Sequence, residues 1–247
     1  LSILSTVFAA ASFWSAPALA APSADVYGSK PDISDVVISP DGIHVAMVRP
    51  LSDRGGVNII RIGGGQCAVS SGNELKVHSV FWGNNNRLVI EVSFTYAADT
   101  SRRQDYLQEI YRYLSVDTAC KNLRWLLGDN RDAYGSTGSD FIGRSKDGKL
   151  LFSVLNISED GPNPYGGGTN IKQRSLDTLD IYSVDPGTSK SAHVIAGTPS
   201  TVRWITDGDG APRLRVDIDE RTRARKVLAR VAGSTDWQQV YASGDGE

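Results

Sequence analysis

Short apolar runs rich in Val and Ile, separated by Gly, Asn, Asp or Pro, recur along the chain from Asp35 onward. In "DVVISPDGIHVAMVRP" (35–50), one run ends at Ser39-Pro40-Asp41-Gly42 and the next begins at Ile43. Pro40 fixes φ near the value a turn's second position needs. Asp41 can bond its own backbone, and Gly42 takes φ > 0 without steric cost. With β-branched residues on both sides, the stretch predicts a β-hairpin.

The unit returns. "KVHSVFWGNNNRLVIEVSF" (76–94) turns at Gly83-Asn84-Asn85-Asn86, "SDFIGRSKDGKLLFSVLNI" (139–157) at Lys146-Asp147-Gly148, and "STVRWITDGDGAPRLRVDI" (200–218) at Asp207-Gly208-Asp209-Gly210. A second hairpin follows each one, so a group of four strands occurs four times. Val36 to Val80 is 44 residues, Val80 to Ile142 is 62, and Ile142 to Val202 is 60. The first spacing matches the ~40–45 residues of a propeller blade. The longer two are explained by polar or Gly/Pro-rich insertions between second and third strands, at 97–106 and 158–175. Radial repetition of four-stranded sheets protects many short strands from open edges. The expected fold is therefore all-β: a partial β-propeller of about four four-stranded blades, near 32–72, 76–128, 138–197 and 200–245. A β-sandwich is the competing architecture, but it seldom repeats one turn type after each group's first strand. Helix content should be close to nil, because no window beyond the N-terminal segment sustains a 3.6-residue period.

Sidedness follows from the meander. The turns after first strands emerge at one end of the array, and the two insertions at the other, which is the end expected to face a partner. In "RLRVDID" (213–219), Leu214, Val216 and Ile218 alternate with Arg213, Arg215, Asp217 and Asp219. One face is apolar, and the charged one reads as solvated.

Residues 1–20 carry no charge and end in Ala18-Leu19-Ala20, an apolar region before a small-x-small cleavage site. The reading is a signal peptide at 1–20, a linker at 21–31, and export to the periplasm or the outside. The chain opens on Leu rather than Met and lacks a basic leader, which fits a clipped start. A membrane anchor is the rival reading, but Pro17 and the small residues argue against a stable span of ~20 strongly apolar residues.

Across 247 residues the net charge is -2 and 40% of positions are hydrophobic, enough for a core and too neutral to suggest a nucleic-acid partner. Cys67 and Cys120 are the only cysteines. An oxidising compartment permits a bridge, but each reads as opening the outer strand of a different blade, beyond the roughly 7 Å Cα limit. The expectation is two buried small hydrophobes.

Chemistry is sparse. There is no Gly-x-Ser-x-Gly elbow, and "YGSTGSD" (134–140) has its composition without its spacing. His44, His78 and His193 fall on separate predicted strands with no carboxylate or Cys at ligand spacing, which implies packing or surface roles. "DGDG" lacks the remaining ligands of a calcium loop. Gly63-Gly64-Gly65 and Gly166-Gly167-Gly168 lack the Lys-Ser/Thr of a phosphate loop. No catalytic residue, metal or cofactor is expected.

"KPDISDVVISPDGIHVAMV", following the export-type segment, resembles the opening of the propeller in secreted bacterial serine peptidases of the prolyl oligopeptidase family. Ser39-Pro40-Asp41-Gly42, Phe81-Trp82 before the second turn, and "LDIYSVD" with its acidic turn carry the likeness, over roughly 31–245. Ser-Pro-Asp-Gly also marks other periplasmic propellers, the one of the Tol system among them. The resemblance implies a larger propeller followed by an α/β-hydrolase domain, and no position here matches the catalytic motifs. It implies a non-catalytic part that gates or orients peptides for that domain, with a stand-alone periplasmic protein-binding propeller as the alternative. Some of these peptidases hold a substrate's amino group with paired acids, for which Glu159 and Asp160 are the nearest candidates. Tyr165, Arg102 and Arg103 are further candidate contacts on the insertions.

Overall fold

The computed structural model describes residue 28 and residues 31–51, 54–72, 75–98, 106–130, 139–156 and 177–243. The chain divides into two units, Leu1–Pro31 and Asp32–Glu247. Nearly all described residues belong to the second, in which they form strands and turns without a helix.

Among the described residues, sixteen strands form four antiparallel sheets, each a meander in chain order. Blade I holds β1 (Asp35–Ile38), β2 (His44–Leu51), β3 (Arg54–Arg61) and β4 (Gln66–Ser70). Blade II holds β5 (Lys76–Asn84), β6 (Arg87–Ala98), β7 (Tyr106–Asp117) and β8 (Arg124–Trp125). Blade III holds β9 (Ser139–Arg144), β10 (Leu150–Asn156), β11 (Thr178–Val184) and β12 (Ser191–Ile195). Blade IV holds β13 (Thr201–Thr206), β14 (Pro212–Ile218), β15 (Arg225–Ala229) and β16 (Gln238–Ala242). The fold is all-β, four blades of a β-propeller.

The first-strand turns of blades I, III and IV share one construction. Gly42 N–H donates to Ser39 O at 2.8 Å, Ser39 Oγ donates to Asp41 Oδ1 at 2.5 Å, and His44 N–H donates to Ser39 Oγ at 2.9 Å. Blade III repeats this with Ser145, Asp147 and Gly148. In blade IV Asp207 takes over both roles, accepting from the amides of Asp209 and Ala211. Gly42, Gly148 and Gly210 all sit at positive φ, between 71° and 78°. A short polar residue and a Gly at fixed offsets therefore reverse the chain in blades I, III and IV, whereas in blade II Asn84 Oδ1 accepts from the amide of Asn86 without such a Gly.

Period-two alternation sends one side of each blade into the seam before it and the other into the seam after it. Between blades I and II, Ala46, Val48, Val57 and Ile59 meet Val80, Trp82, Leu88 and Ile90, all nearly inaccessible. Trp82 Nε1 donates to Val37 O at 3.3 Å, and Asp35 Oδ2 accepts from Val80 N–H at 3.0 Å. Between II and III, Val89 and Tyr113 meet Leu150, Phe152 and Val184, and Phe81 stacks on Phe141 at 4.3 Å. Between III and IV, Trp204 packs on Leu151 and Ile181 and donates from Nε1 to Leu179 O at 2.6 Å. First strands converge, β1 on β5 and β9 on β13, while the outermost strands stay largely exposed.

Two expectations are corrected here. Cys67 and Cys120 form a disulfide with a Cα separation of 5.9 Å. Cys120 does not open an outer strand. It sits at φ 57° in the β7–β8 turn, held by Asp117 Oδ1 accepting from the amides of Ala119 and Lys121. Turns after third strands emerge at the same end as those after first strands, so this one folds against the start of β4, where Cys67 lies. The bridge therefore spans two blades at their common rim.

The second correction concerns β14. At Arg215 and Asp217 its charged side is not solvated, although Asp219 at the end of the row is exposed. Arg215 and Asp217 form an ion pair at 2.9 Å with both side chains only 13% exposed. The Arg215 guanidinium lies over the rings of Trp204 and Trp237, at 5.9 and 5.5 Å, and Thr201 Oγ1 donates to Asp217 at 2.9 Å. Arg215 and Asp217 are on the side turned to blade III, and Leu214, Val216 and Ile218, on the other side, are half-buried. Their register partners continue that other side through Val227 to Tyr241, which is 53% exposed. An aromatic bed over which a guanidinium can lie makes a charged row a good seam.

Candidate functional site

Glu159, Asp160, Tyr165, Arg102 and Arg103 all lie outside the described residues. The first insertion is shorter than the sequence suggested: β6 runs through Ala98 and β7 resumes at Tyr106, so the ends of 97–106 are strand paired as Ala98↔Tyr106 and Ala97↔Leu107. β-Strand pairing between two long hairpin arms outweighed the polar composition of the segment.

At the insertion end of blade II, His78, Ser93 and Glu109 form a chain. His78 Nε2 and Ser93 Oγ are 2.6 Å apart, and Ser93 Oγ donates to Glu109 Oε1 at 2.7 Å, with Lys76 Nζ 3.4 Å from the same oxygen. The residue types are those of an acyl-transfer triad, but the order is wrong. A nucleophilic serine needs the histidine between itself and the carboxylate. Here the serine is in the middle, fully buried, and gives its proton to glutamate. His78 also packs on Tyr111 at 5.1 Å, so the cluster ties β5, β6 and β7 together. The hydrogen bond from Ser93, and then Lys76, hold the Glu109 carboxyl below the usual carboxylate range.

His193 has a carboxylate partner that spacing in the sequence did not reveal. Its Nε2 lies 3.0 Å from Asp180 Oδ2, across the β11–β12 pair. Asp180 is 2% exposed. Burial opposes its charge, yet the amide of Gly197 and the side chains of Thr178, Asn156 and His193 hold its carboxyl below the usual range. With oxygen and nitrogen partners already in place, Asp180 is an anchor for the 195–197 corner.

Among the described residues, a space with the dimensions of a ligand pocket lies between the first strands of blades III and IV. It is a cleft of about 470 Å3 lined by Asp140, Ile142, Ser153, Val202, Arg203 and Trp204, among others. Ladder irregularities border it on both sides. The β9–β10 register shifts between Leu151↔Gly143 and Phe152↔Phe141, which leaves Ile142 as the extra residue. The β13–β14 register shifts between Thr201 and Arg203, which leaves Val202. Bulges cluster beside functional sites because they re-aim side chains and release backbone groups from the ladder. Thr206 Oγ1 donates to the freed carbonyl of Ile142 at 2.8 Å and closes one end. Trp204, fixed by its bond to Leu179 O, supplies a buried apolar wall. Asp140 and Arg203 are both exposed, but the register puts Asp140 with Ser153 on the side of blade III turned to blade IV, and Arg203 with Val216 on the side of blade IV turned away from it. Sequence reading missed it because a bulge depends on how two strands align. Among the described residues there is no group of three or more His, Cys, Asp or Glu placed to hold a metal ion.

No family model matches the chain, and no curated protein matches it. Solved structures do. An acylaminoacyl peptidase from Pyrococcus horikoshii is 12% identical, with 85% of this chain aligned to 32% of that one at a TM-score of 0.46. An oligogalacturonate lyase in complex with manganese is 11% identical, with 87% of this chain aligned to 55% of that one at 0.48. TolB from Acinetobacter baumannii is 14% identical, with 84% aligned to 40% at 0.36. The chain spans less than two thirds of each of these proteins. Identities this low concern the fold alone, and at these TM-scores nothing further rests on them.

Proposed function

We propose that this chain is the non-catalytic propeller portion of an exported serine peptidase, and that it gates or orients peptides for a hydrolase domain lying outside it. The observation that carries the reading is the Ser39-Pro40-Asp41-Gly42 turn. It follows an export-type segment, and its Ser/Asp/Gly construction returns in blade III. The Cys67–Cys120 disulfide supports an oxidising compartment, periplasmic or extracellular, since such bonds are rare where thiols are kept reduced. In this reading residues 1–20 are the cleaved signal and 21–31 a linker. The serine of the His78–Ser93–Glu109 chain is buried and bonded in the wrong order to attack a substrate, which fits a non-catalytic portion. The candidates Glu159, Asp160, Tyr165, Arg102 and Arg103 belong to the insertions that would meet the hydrolase domain and the incoming peptide.

A stand-alone periplasmic protein-binding propeller is the second reading, because the same turn marks propellers without a hydrolase. Reading the gene beyond the codon for Glu247 separates the two. An in-frame hydrolase segment with a Gly-x-Ser-x-Gly elbow is the expected result. A stop codon without one overturns the peptidase reading in favour of the second.

A further inference from the structure

We propose that the outer edge of β7, over residues 107–112, takes up an extended segment of a partner protein as a further antiparallel strand. The proposal goes beyond the peptidase reading and does not depend on a hydrolase domain. In blades I, III and IV the fourth strand pairs with the third over four or five residues. In blade II it pairs only as Leu114↔Trp125 and Ser115↔Arg124. The chain then leaves the edge. Leu126 N–H donates to Tyr113 O at 2.9 Å, Leu127 takes a φ of 59° that a bulky residue rarely adopts, and both are buried between blades II and III. β7 meanwhile reaches back to Tyr106 with β6 on its other side, so among the described residues no strand covers its outer edge before Tyr113. Tyr113 O and Asp117 N–H both point outward. With a period of two, so do the N–H and C=O of Leu107, Glu109 and Tyr111.

An open edge selects its occupant by chemistry. A second backbone in extended form satisfies these donors and acceptors together, which is how strand addition binds peptides. The edge also lies on a projecting ribbon. β5 pairs with β6 only as far as Ser93, so residues 94–98 and 106–110 continue as two strands alone among the described residues. Two strands by themselves are marginal in water, and a third stabilises them. An antiparallel guest continues the direction of β8, and its residues lie opposite Arg112, Tyr111, Ile110, Glu109, Gln108 and Leu107 in that order. Arg112 leans to the edge, its Nη1 donating to Tyr111 O at 2.7 Å, and favours an acid at the guest's first position. That carbonyl keeps a second lone pair for the guest's own N–H. Ile110 is half-buried and Leu107 is 73% exposed, which favours apolar residues at the third and sixth positions. Glu109 favours a cation at the fourth.

The test is fluorescence anisotropy of a labelled peptide, acetyl-Glu-Thr-Val-Lys-Thr-Val-amide, titrated with the full chain. It should bind with a Kd of about 100 μM or tighter. The peptide's second and fourth residues turn their N–H to β7, and the third turns its own to solvent. N-methylation of the lysine should therefore weaken binding about tenfold or more, and N-methylation of the first valine less than about twofold. In the protein, Glu109→Pro deletes an N–H on this edge and should also cost about tenfold, while Glu109→Gln keeps that N–H and should cost no more than about threefold. Thr95 lies opposite Glu109 with its N–H on the far edge of the ribbon, so Thr95→Pro should leave binding within about twofold. The proposal falls if no binding occurs at about 1 mM chain, or if the two methylated peptides bind equally, since the contact is then not a strand. It also falls if Thr95→Pro abolishes binding and Glu109→Pro does not, since the guest then sits on β6. Because methylation acts on the peptide, that comparison does not depend on any variant folding.

Discussion

Arg87 donates from Nε to the carbonyl oxygen of Pro186 at 3.0 Å, joining the first strand-turn of blade II to the β11–β12 turn of blade III. The same guanidinium serves Ser115 Oγ at 2.9 Å, Ser115 O at 3.1 Å and Asn122 O at 3.0 Å, and the residue is only 8% exposed. One side chain thus donates to three carbonyls in the seam, of which Pro186 O also accepts from Ser115 Oγ at 2.6 Å. Pro186 also approaches Gly83 so closely that a Cβ there would lie 3.0 Å from the proline ring.

Arg87→Ala should therefore cost about 3 kcal/mol, since it strands buried acceptors. Arg87→Lys should recover only part, because an ammonium cannot fork to three separated oxygens. Urea unfolding of the three proteins measures both differences. Equal midpoints for native and Ala forms would mean that water replaces the guanidinium at no cost.

Reducing the Cys67–Cys120 bond, or replacing both residues by Ala, should lower stability by about 4 kcal/mol. The bridged residues are 53 apart, and releasing a loop of that size restores corresponding entropy to the unfolded chain. Denaturant midpoints with and without reductant provide the comparison.

Acid should weaken the turns together. Asp147 is brought down to about 2, first by its bond from Ser145 and then by Lys149. Asp41, Asp207 and Asp219 are also lowered, first by Ser39, Arg213 and the Thr222 amide respectively. A folded value below the unfolded one gives stability that is full above about pH 4 and lost as pH falls toward about 2. Urea midpoints should hold steady from about pH 7 to about pH 5 and then drop between about pH 4 and about pH 2. Asp147→Asn keeps the acceptor oxygen but cannot titrate, so its midpoint should fall less steeply over that interval.

Gly208 and Gly210 occupy one turn yet should differ sharply on substitution. Gly210 sits at φ +78°, and a Cβ there would run into the backbone of Arg144 and Ser145, whereas Gly208 faces open space. Gly210→Ala should cost about 2–4 kcal/mol, and Gly208→Ala no more than about 0.5. Thermal melts of the pair would show whether the blade III–IV approach is as close as described.

What the sequence disclosed depended on range. Val36 to Ile38, the Ser39–Gly42 turn and its later versions are local signals, each carried by a few adjacent residues, and from them the strands and the all-β propeller fold were legible. Relations between blades were not. Cys120 looked like a strand residue because the Asx turn on Asp117 that carries it is short and polar. Arg215 and Asp217 looked solvated because alternation says which residues share a side of a strand but not what that side meets. Only Trp204 and Trp237, distant in sequence, turn it into a seam. The cleft beside Ile142 and Val202 was hidden for the same reason, as a bulge arises from the alignment of two strands.

The bridge between blades I and II also makes a closed covalent circuit of everything from Cys67 to Cys120. A protease that cuts the backbone once inside that circuit opens it without releasing a piece, whereas one cut anywhere outside divides the molecule in two. On a denaturing gel without reductant, a chain nicked between β5 and the end of β7 should run as one molecule, and adding reductant should split it. A nick in blade III or IV should give two fragments either way.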